Sequence, residues 1–545
     1  MTHIPAHIAF PALIALVAGL FGWYRLKAYL LYFQQEEYDA ARFRRWLSTA
    51  GARDRLTSLL TLAGAALAGL VPVTGPVGAG AAALIALGLG LGAYLSRRLL
   101  TASKKPLVMT QRARRIHRLA FAMAMVLWVI GFGLGSPLDG GLGGLSSAAL
   151  AQLAPYLLVL ANALLSPFEK RIKARFRQEA VDKLAKLQPT VIAITGSYGK
   201  TSTKQILNHI LSAAAPTLAT PGSVNTEMGI TRVIRETLTP EHRYFIVEMG
   251  AYGPGSIARL CRLTPPGLSL VTAVGWAHYE RFKSVAAVFQ AKFEIAEAAA
   301  ARGGPTLVNA DMIPPDMLGP RIAEGRETII KTGTGEDCRF RLVRADVTRD
   351  GLSLEIVDPE ADMPVAMTAP IWGRHQAGNV LIAVATARHL GLPMSTIKAA
   401  LASLPQVRHR LEVFKSETGP TIIDDAYNAN PTGFAAGLEA LGVLRAESGR
   451  RILVTPGMVE MGEAHDEQHG ELGRLAADAV DIACVVTPDR IPTFVDPLEA
   501  AAGVEVLRFD RQSDAQAWVV AQARAGDAVL YENNLPDLYE VKPRF

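Results

Sequence analysis

Gly196-Ser-Tyr-Gly-Lys-Thr201 lies between two stretches of different character. Before it, Thr190–Thr195 (TVIAIT) is a short β-branched run; after it, Ser202–Leu211 reads as a helix. A strand, a glycine-containing turn and a helix N-terminus form a cradle for phosphate. Backbone N–H groups and the helix dipole face the anion, Lys200 reaches the terminal phosphates, and the Thr201 hydroxyl can hold Mg²⁺. The pattern is the shorter GxxGKT form, because Ile194 stands where the longer loop has its first glycine. Gly196, Ser197, Gly199, Lys200, Thr201 and Ser202 are therefore candidate nucleotide-binding residues, with ATP and Mg²⁺ as the expected cofactors.

Tyr244–Met249 (YFIVEM) is a second apolar strand and ends in Glu248. Strand C-termini line the ligand crevice of a doubly wound sheet, and a carboxylate there is a natural Mg²⁺ ligand. The strand Leu268–Val274 is followed by His278. Thr201, Glu248 and His278 are the candidate metal ligands.

These motifs resemble the Mur ligases, most closely the MurF branch. The resemblance is carried by Thr195-Gly-Ser-Tyr-Gly-Lys-Thr-Ser-Thr-Lys204, Asn225-Thr-Glu-Met-Gly229, Val247-Glu-Met-Gly250, Ala277-His278 and Ala291-Lys-Phe-Glu-Ile295. Asn309-Ala-Asp311, Gly373-Arg-His-Gln-Ala-Gly-Asn379, Arg408-His-Arg-Leu-Glu412 and Asp424-Asp-Ala-Tyr-Asn-Ala-Asn-Pro431 follow in order. It implies an ATP-dependent ligase that joins a carboxylate to an amine through an acyl phosphate, in peptidoglycan precursor synthesis. Lys200 and Thr201 would bind the β/γ-phosphates and Mg²⁺, and Glu248 and His278 the metal. Lys292 would be the lysine that several members carbamylate, so that Lys200, His278 and Lys292 form the expected catalytic set. His375 and Asn379 would lie near the adenine. Arg410, Asp425, Asn428 and Asn430 would close over the nucleotide. The partners implied are an amino acid or dipeptide as amine and a carboxylate acceptor.

Two departures accompany the resemblance. MurF-type enzymes normally begin with a soluble domain that grips the UDP part of the substrate; apolar segments hold that place here, so a lipid-linked acceptor is expected. The family often carries a Lys-Gly-Ser-Arg-like stretch after its last strand, where this chain has Tyr531-Glu-Asn-Asn-Leu-Pro536. Competing readings are a membrane-anchored ligase of the poly-γ-glutamate kind and a P-loop ATPase without ligation.

The elements that position these residues fall into three predicted domains: a membrane region over 1–185, a central ATPase over 186–405 and a Rossmann-like parallel sheet over 406–545. The fold class is α/β behind a multi-helix membrane region. The chain has 545 residues and a mean hydropathy of +0.21, with most of the apolar excess before residue 170. About 20 apolar residues span a bilayer. Five candidate spans are predicted at Ile8–Tyr24, Leu56–Val73, Val77–Leu95, Leu119–Leu138 and Ala148–Phe168, with no ionisable residue inside them except at their edges. Arg and Lys cluster in alternate connections, at 25–55, 97–118 and 170–177. This places the N-terminus outside and everything after residue 168 in the cytoplasm, as a multi-pass protein of a bacterial-type inner (plasma) membrane in contact with its lipids. The net charge of +6 is explained by these clusters, and nucleic acid is not an expected partner. Three cysteines form no CxxC pair and are expected to be reduced thiols.

Overall fold

The computed structural model describes residues 6–49, 53–70, 76–102, 106–133, 140–275, 282, 284–416, 419–426, 430–459 and 461–534. The chain divides into two compact units, Met1–Ile172 and Lys173–Asn534.

The first unit is helical: α1 (Ala6–Gln35), α2 (Ala40–Thr49), α3 (Arg55–Leu70), α4 (Pro76–Ala102), α5 (Gln111–Gly133) and the greater part of α6 (Gly140–Leu187). Among the described residues, three stretches, Ala12–Gln35, Ala79–Thr101 and Leu145–Leu187, are long and apolar enough to cross a membrane, and Arg55–Ala68 is a shorter apolar helix. Gly64, Gly88 and Gly92 let α3 and α4 meet closely. A Cβ on Gly92 would stand 2.4 Å from Thr57 Oγ1, and one on Gly88 2.9 Å from Leu60 Cβ.

Two expectations are corrected here. The first apolar helix does not stop at Tyr24; it runs through Arg25 and Lys27 to Gln35. Its interior also holds an ionisable residue. Arg25 is fully buried with its Nη2 2.7 Å from Asp54 Oδ2, and Asp54 is equally buried. The sequence pattern missed this because the neutralising carboxylate stands outside α1, at the start of α3, where Asp54 Oδ1 also accepts from Thr57 N.

The second unit contains two sheets. The first has nine strands in the order β2-β3-β1-β4-β5-β6-β7-β8-β9. They are β1 (Thr190–Thr195), β2 (Thr217–Ala219), β3 (Tyr244–Glu248), β4 (Leu268–Val271), β5 (Thr306–Asn309), β6 (Ile329–Gly333), β7 (Phe340–Thr348), β8 (Gly351–Val357) and β9 (Val365–Ala369). The strands from β2 across to β7 pair in parallel, and β7, β8 and β9 form the antiparallel insertion anticipated near 339–367. In β1, Ile192 and Ile194 face one core and Val191 and Ala193 the other, so both faces are covered and the strand reads as a continuous apolar run. Strand order reverses about β1, between β3 and β4, and opens a crevice at its C-terminal end.

The second sheet has six strands in the order β10-β11-β15-β12-β13-β14, parallel except for the antiparallel edge strand β10. They are β10 (Glu412–Lys415), β11 (Thr421–Asp425), β12 (Arg451–Thr455), β13 (Ile482–Val486), β14 (Glu505–Phe509) and β15 (Ala528–Glu532). The fold is thus mixed α/β, with two parallel-rich sheets.

Candidate active site

The loop after β1 lies at the crevice where the strand order reverses, and helix α7 (Lys200–Ser212) begins directly beyond it. Gly199 takes φ +79°, and a Cβ there would stand 2.3 Å from Asn379 Oδ1. A Cβ on Gly196 would stand 2.0 Å from Thr272 Oγ1, the hydroxyl that donates to Tyr198 O. Gly199 therefore meets a steric and a conformational demand, and Gly196 a steric one. The result is a bare backbone loop at a helix start, the form that receives phosphate.

Lys200 folds back over this loop, with Nζ 2.6 Å from Gly196 O and 3.3 Å from Ser197 O. Desolvation pulls its ammonium down to about 8; Glu248 opposes the shift, while Arg410 and Lys204 add to it. Thr201 Oγ1 donates to Glu248 Oε2 over 3.0 Å. Lys204 Nζ lies 2.8 Å from the same oxygen, and Asn225 Nδ2 donates to Oε1 at 3.3 Å. A hydroxyl and a carboxylate at hydrogen-bonding distance offer the hard oxygen donors that Mg²⁺ takes, so the residues present fit the ion.

Lys292 is on helix α10 (Val285–Ala300), after α8 (Glu227–Glu236) and α9 (Ser256–Leu263), and is almost fully buried. Burial, reinforced by the charge of Lys200, holds its amine well below the usual lysine range. Ser197 Oγ ties the loop to Gly275, donating to its carbonyl and accepting from its N–H.

A narrow cleft joins the two sheets within this unit. Its walls bring together the expected residues Gly199, Ser202, His375, Asn379, Arg410, Asp425 and Asn430. His375 is pushed down to about 4 by burial and by the Arg410 charge, so its imidazole is neutral. Asn379, on α12 (Gln376–His389) beyond α11 (Pro315–Ala323), accepts from Thr203 Oγ1 at 3.2 Å and donates to Gln376 Oε1 at 2.9 Å. It therefore buttresses the loop directly. Asn430 caps the helix Pro431–Leu444 by accepting from Gly433 N. His278 and Asn428 lie outside the described residues.

Several residues of the site carried no role in the sequence reading. Lys204 is one, and its signal was available: it follows Lys200 by four positions on a helix, which puts both ammonium groups on one face. Thr272, at the end of β4, had no local signal.

Comparison with known proteins accords with this arrangement. The Mur ligase middle domain matches residues 194–387, and the domain described as Mur ligase, glutamate ligase domain, matches 409–532. The chain is 34% identical over 350 residues to the UDP-N-acetylmuramoyl-tripeptide–D-alanyl-D-alanine ligase of Mycobacterium tuberculosis, covering 63% of this chain and 67% of that one. It is 33% identical over 290 residues to the enzyme of that name from Escherichia coli, covering 53% and 62%. The crystal structure of MurF ligase from Thermotoga maritima in complex with ADP superposes with a TM-score of 0.59 at 25% identity, over 68% of this chain and 82% of that one. With the same domains in the same order around one nucleotide loop, the chain belongs to the Mur ligase family, whose members are ATP- and Mg²⁺-dependent ligases.

Proposed function

We propose that this chain is a MurF-type ligase of peptidoglycan precursor synthesis that joins D-alanyl-D-alanine, or a related amine, to the terminal carboxylate of a muramyl peptide. The observation that carries the reading is the convergence of Lys200, Thr201, Lys204 and Glu248 on one bare loop, opening into a cleft walled by both sheets. The expected site residues Gly196, Ser197, Gly199, Ser202, His375, Asn379, Arg410, Asp425, Asn428 and Asn430 take the nucleotide in this proposal. Thr201, Glu248 and His278 take the metal.

The acceptor carboxylate attacks the γ-phosphate to form an acyl phosphate and ADP. The amine nitrogen then attacks the acyl carbon, and phosphate leaves. Anion–anion repulsion is the first barrier. Lys200 lowers it by placing a cation on the transferring group. Bound Mg²⁺ would supply further positive charge beside Thr201 and Glu248. Lys292, its amine held well below the usual lysine range by burial, is the residue that would take up CO₂ and become a carbamate in the metal region. Water would hydrolyse the acyl phosphate, so the cleft must close around it for the amine to be the nucleophile.

The proposal includes three domains, a membrane region over 1–185, a central domain over 186–405 and a C-terminal domain over 406–545. It holds the enzyme at a membrane as a multi-pass protein with its catalytic domains in the cytoplasm. Three helices of sufficient length and apolarity support this, as do exposed Leu13, Leu16, Leu20, Leu87 and Ile130 on helices α1, α4 and α5. A lipid-linked muramyl peptide is the acceptor this arrangement favours.

The test is ADP release by the detergent-solubilised full chain with each acceptor form. Release that requires both acid and amine, with acyl phosphate trapped as a hydroxamate, supports the ligase. ADP release without either substrate would reduce it to an ATPase. Faster turnover of the lipid-linked acceptor supports membrane action, and equal rates on the soluble UDP form would remove that part.

A further inference from the structure

Asn309 ends β5, at the same C-terminal edge of the nine-stranded sheet as the nucleotide loop. β5 stands two strands from β1, about 10 Å away at the usual strand spacing. Glu248 ends β3, on the opposite side of β1. A triphosphate on the loop with its metal at Thr201 and Glu248 therefore directs its γ end toward β3 and its nucleoside end toward β4 and β5.

The Asn309 side chain forms part of the cleft wall and is only 4% exposed. Asn309 precedes the short 3-10 turn Ala310–Met312, where an asparagine commonly caps, yet its side chain makes no capping bond. Its Oδ1 has no hydrogen-bond partner among the described residues. Room for this amide is left by Gly378 on α12, between His375 and Asn379: a Cβ there would stand 2.5 Å from Asn309 Nδ2. Ala273 and Met312 line the same cleft and are joined through their backbones, Val274 N donating to Met312 O. They supply apolar surface of the kind that covers the face of a base. A buried amide oxygen that neither caps a helix nor meets another group is costly to fold around, and its place at the ligand end of a sheet points to a bound partner.

A carboxamide sets one acceptor beside one donor. Adenine sets a donor, the N6 amine, beside an acceptor, N7, and asparagine pairs with both at once. Guanine has two acceptors there, O6 and N7, so an amide oxygen would face another oxygen whichever way the amide is turned. Phosphate oxygens are acceptors as well and cannot satisfy Oδ1.

We propose that Asn309 is the residue that selects adenine: Oδ1 accepts from the N6 amine and Nδ2 donates to N7. The inference rests on the ATP-dependent ligase reading above and adds to it the group that chooses the base.

The experiment is calorimetric binding of nucleoside diphosphates, with Mg²⁺, to the detergent-solubilised full chain. The probes are ADP, GDP and purine riboside 5′-diphosphate, which is ADP without its 6-amino group. Wild type is expected to bind ADP about tenfold more tightly than the purine riboside form and about a hundredfold more tightly than GDP. Asn309→Leu is expected to bind ADP and the purine riboside form within about twofold of each other, because the acceptor that read N6 is gone. The same variant is expected to melt at a higher temperature without nucleotide, since it replaces an unpaired buried amide by an apolar group of similar volume. A purely structural asparagine would weaken all three nucleotides equally and leave their ratios unchanged. Wild-type ratios in Asn309→Leu overturn the proposal, as does a wild type that binds ADP and the purine riboside form equally. If Asn309→Leu does not fold, Asn309→Ala decides by the same ratio. A wild type that binds none of the three would instead overturn the ATP-dependent reading itself.

Discussion

Lys204 Nζ lies 2.8 Å from Glu248 Oε2, and both side chains are sealed from solvent. The carboxylate offered to a divalent cation is thus already balanced by an internal one. Removing one partner of a buried ion pair leaves the other uncompensated, at about 3–5 kcal/mol. Lys204→Met is expected to lower the unfolding free energy by that order, and added Mg²⁺ is expected to recover part of it. Chemical denaturation with and without Mg²⁺ measures both; an unchanged midpoint would show that the pair contributes nothing.

Lys200 provides a pH dependence. Its ammonium, lowered to about 8, is charged below that pH and neutral above it. The KM for ATP is expected to rise as pH passes 8, because the cation facing phosphate is lost. Lys200→Arg keeps its charge throughout the accessible range and should move that limb out of view. Lys200→Ala should reduce kcat by about 10²–10³-fold. An identical alkaline limb in the Arg variant would assign it to another group.

Burial and the charge of Lys200 hold the Lys292 amine well below the usual lysine range. Lys292→Ala is expected to lose about 10²-fold in kcat, with partial rescue by short carboxylic acids that fill the vacated volume. Mass analysis of CO₂-equilibrated enzyme checks the modification directly. A fully active Ala variant would dismiss it.

His469 links stability to acid. Its Nε2 accepts from Met458 N at 2.9 Å, so the remaining proton is on Nδ1, which faces His465 O. A second proton has no place without breaking the first contact. Burial dominates the fall of His469 to about 4. A depressed histidine gives stability that is present above its unfolded value near 6.5 and is lost as pH falls from there to 4. Urea midpoints should decline across that window. His469→Gln should flatten the decline while lowering the plateau; an unaltered slope would point to other groups.

Arg25 and Asp54 allow a double-mutant cycle in the helical unit. Arg25→Met is expected to destabilise it by about 3–5 kcal/mol, and Arg25→Met with Asp54→Asn should recover most of that, because Asn keeps the helix cap. Thermal melts in detergent report both. Equal melting temperatures for the single and double variants would exclude coupling.

The chain's local patterns were enough for much of this structure. The β-branched run Thr190–Thr195, the loop Gly196–Thr201 and the strand ending at Glu248 declare themselves because strand period, glycine placement and helix onset are properties of neighbouring residues. The five C-terminal parallel strands were legible for the same reason. Lys204 on Glu248, Glu532 beside Asp425 and Arg25 against Asp54 were not. Each joins residues brought together by sheet order or helix packing, and a single sequence carries no signal for such pairings. Desolvation did the rest: the same lysine or carboxyl is an ordinary solvated charge on a surface and a shifted, reactive group once the fold removes its water.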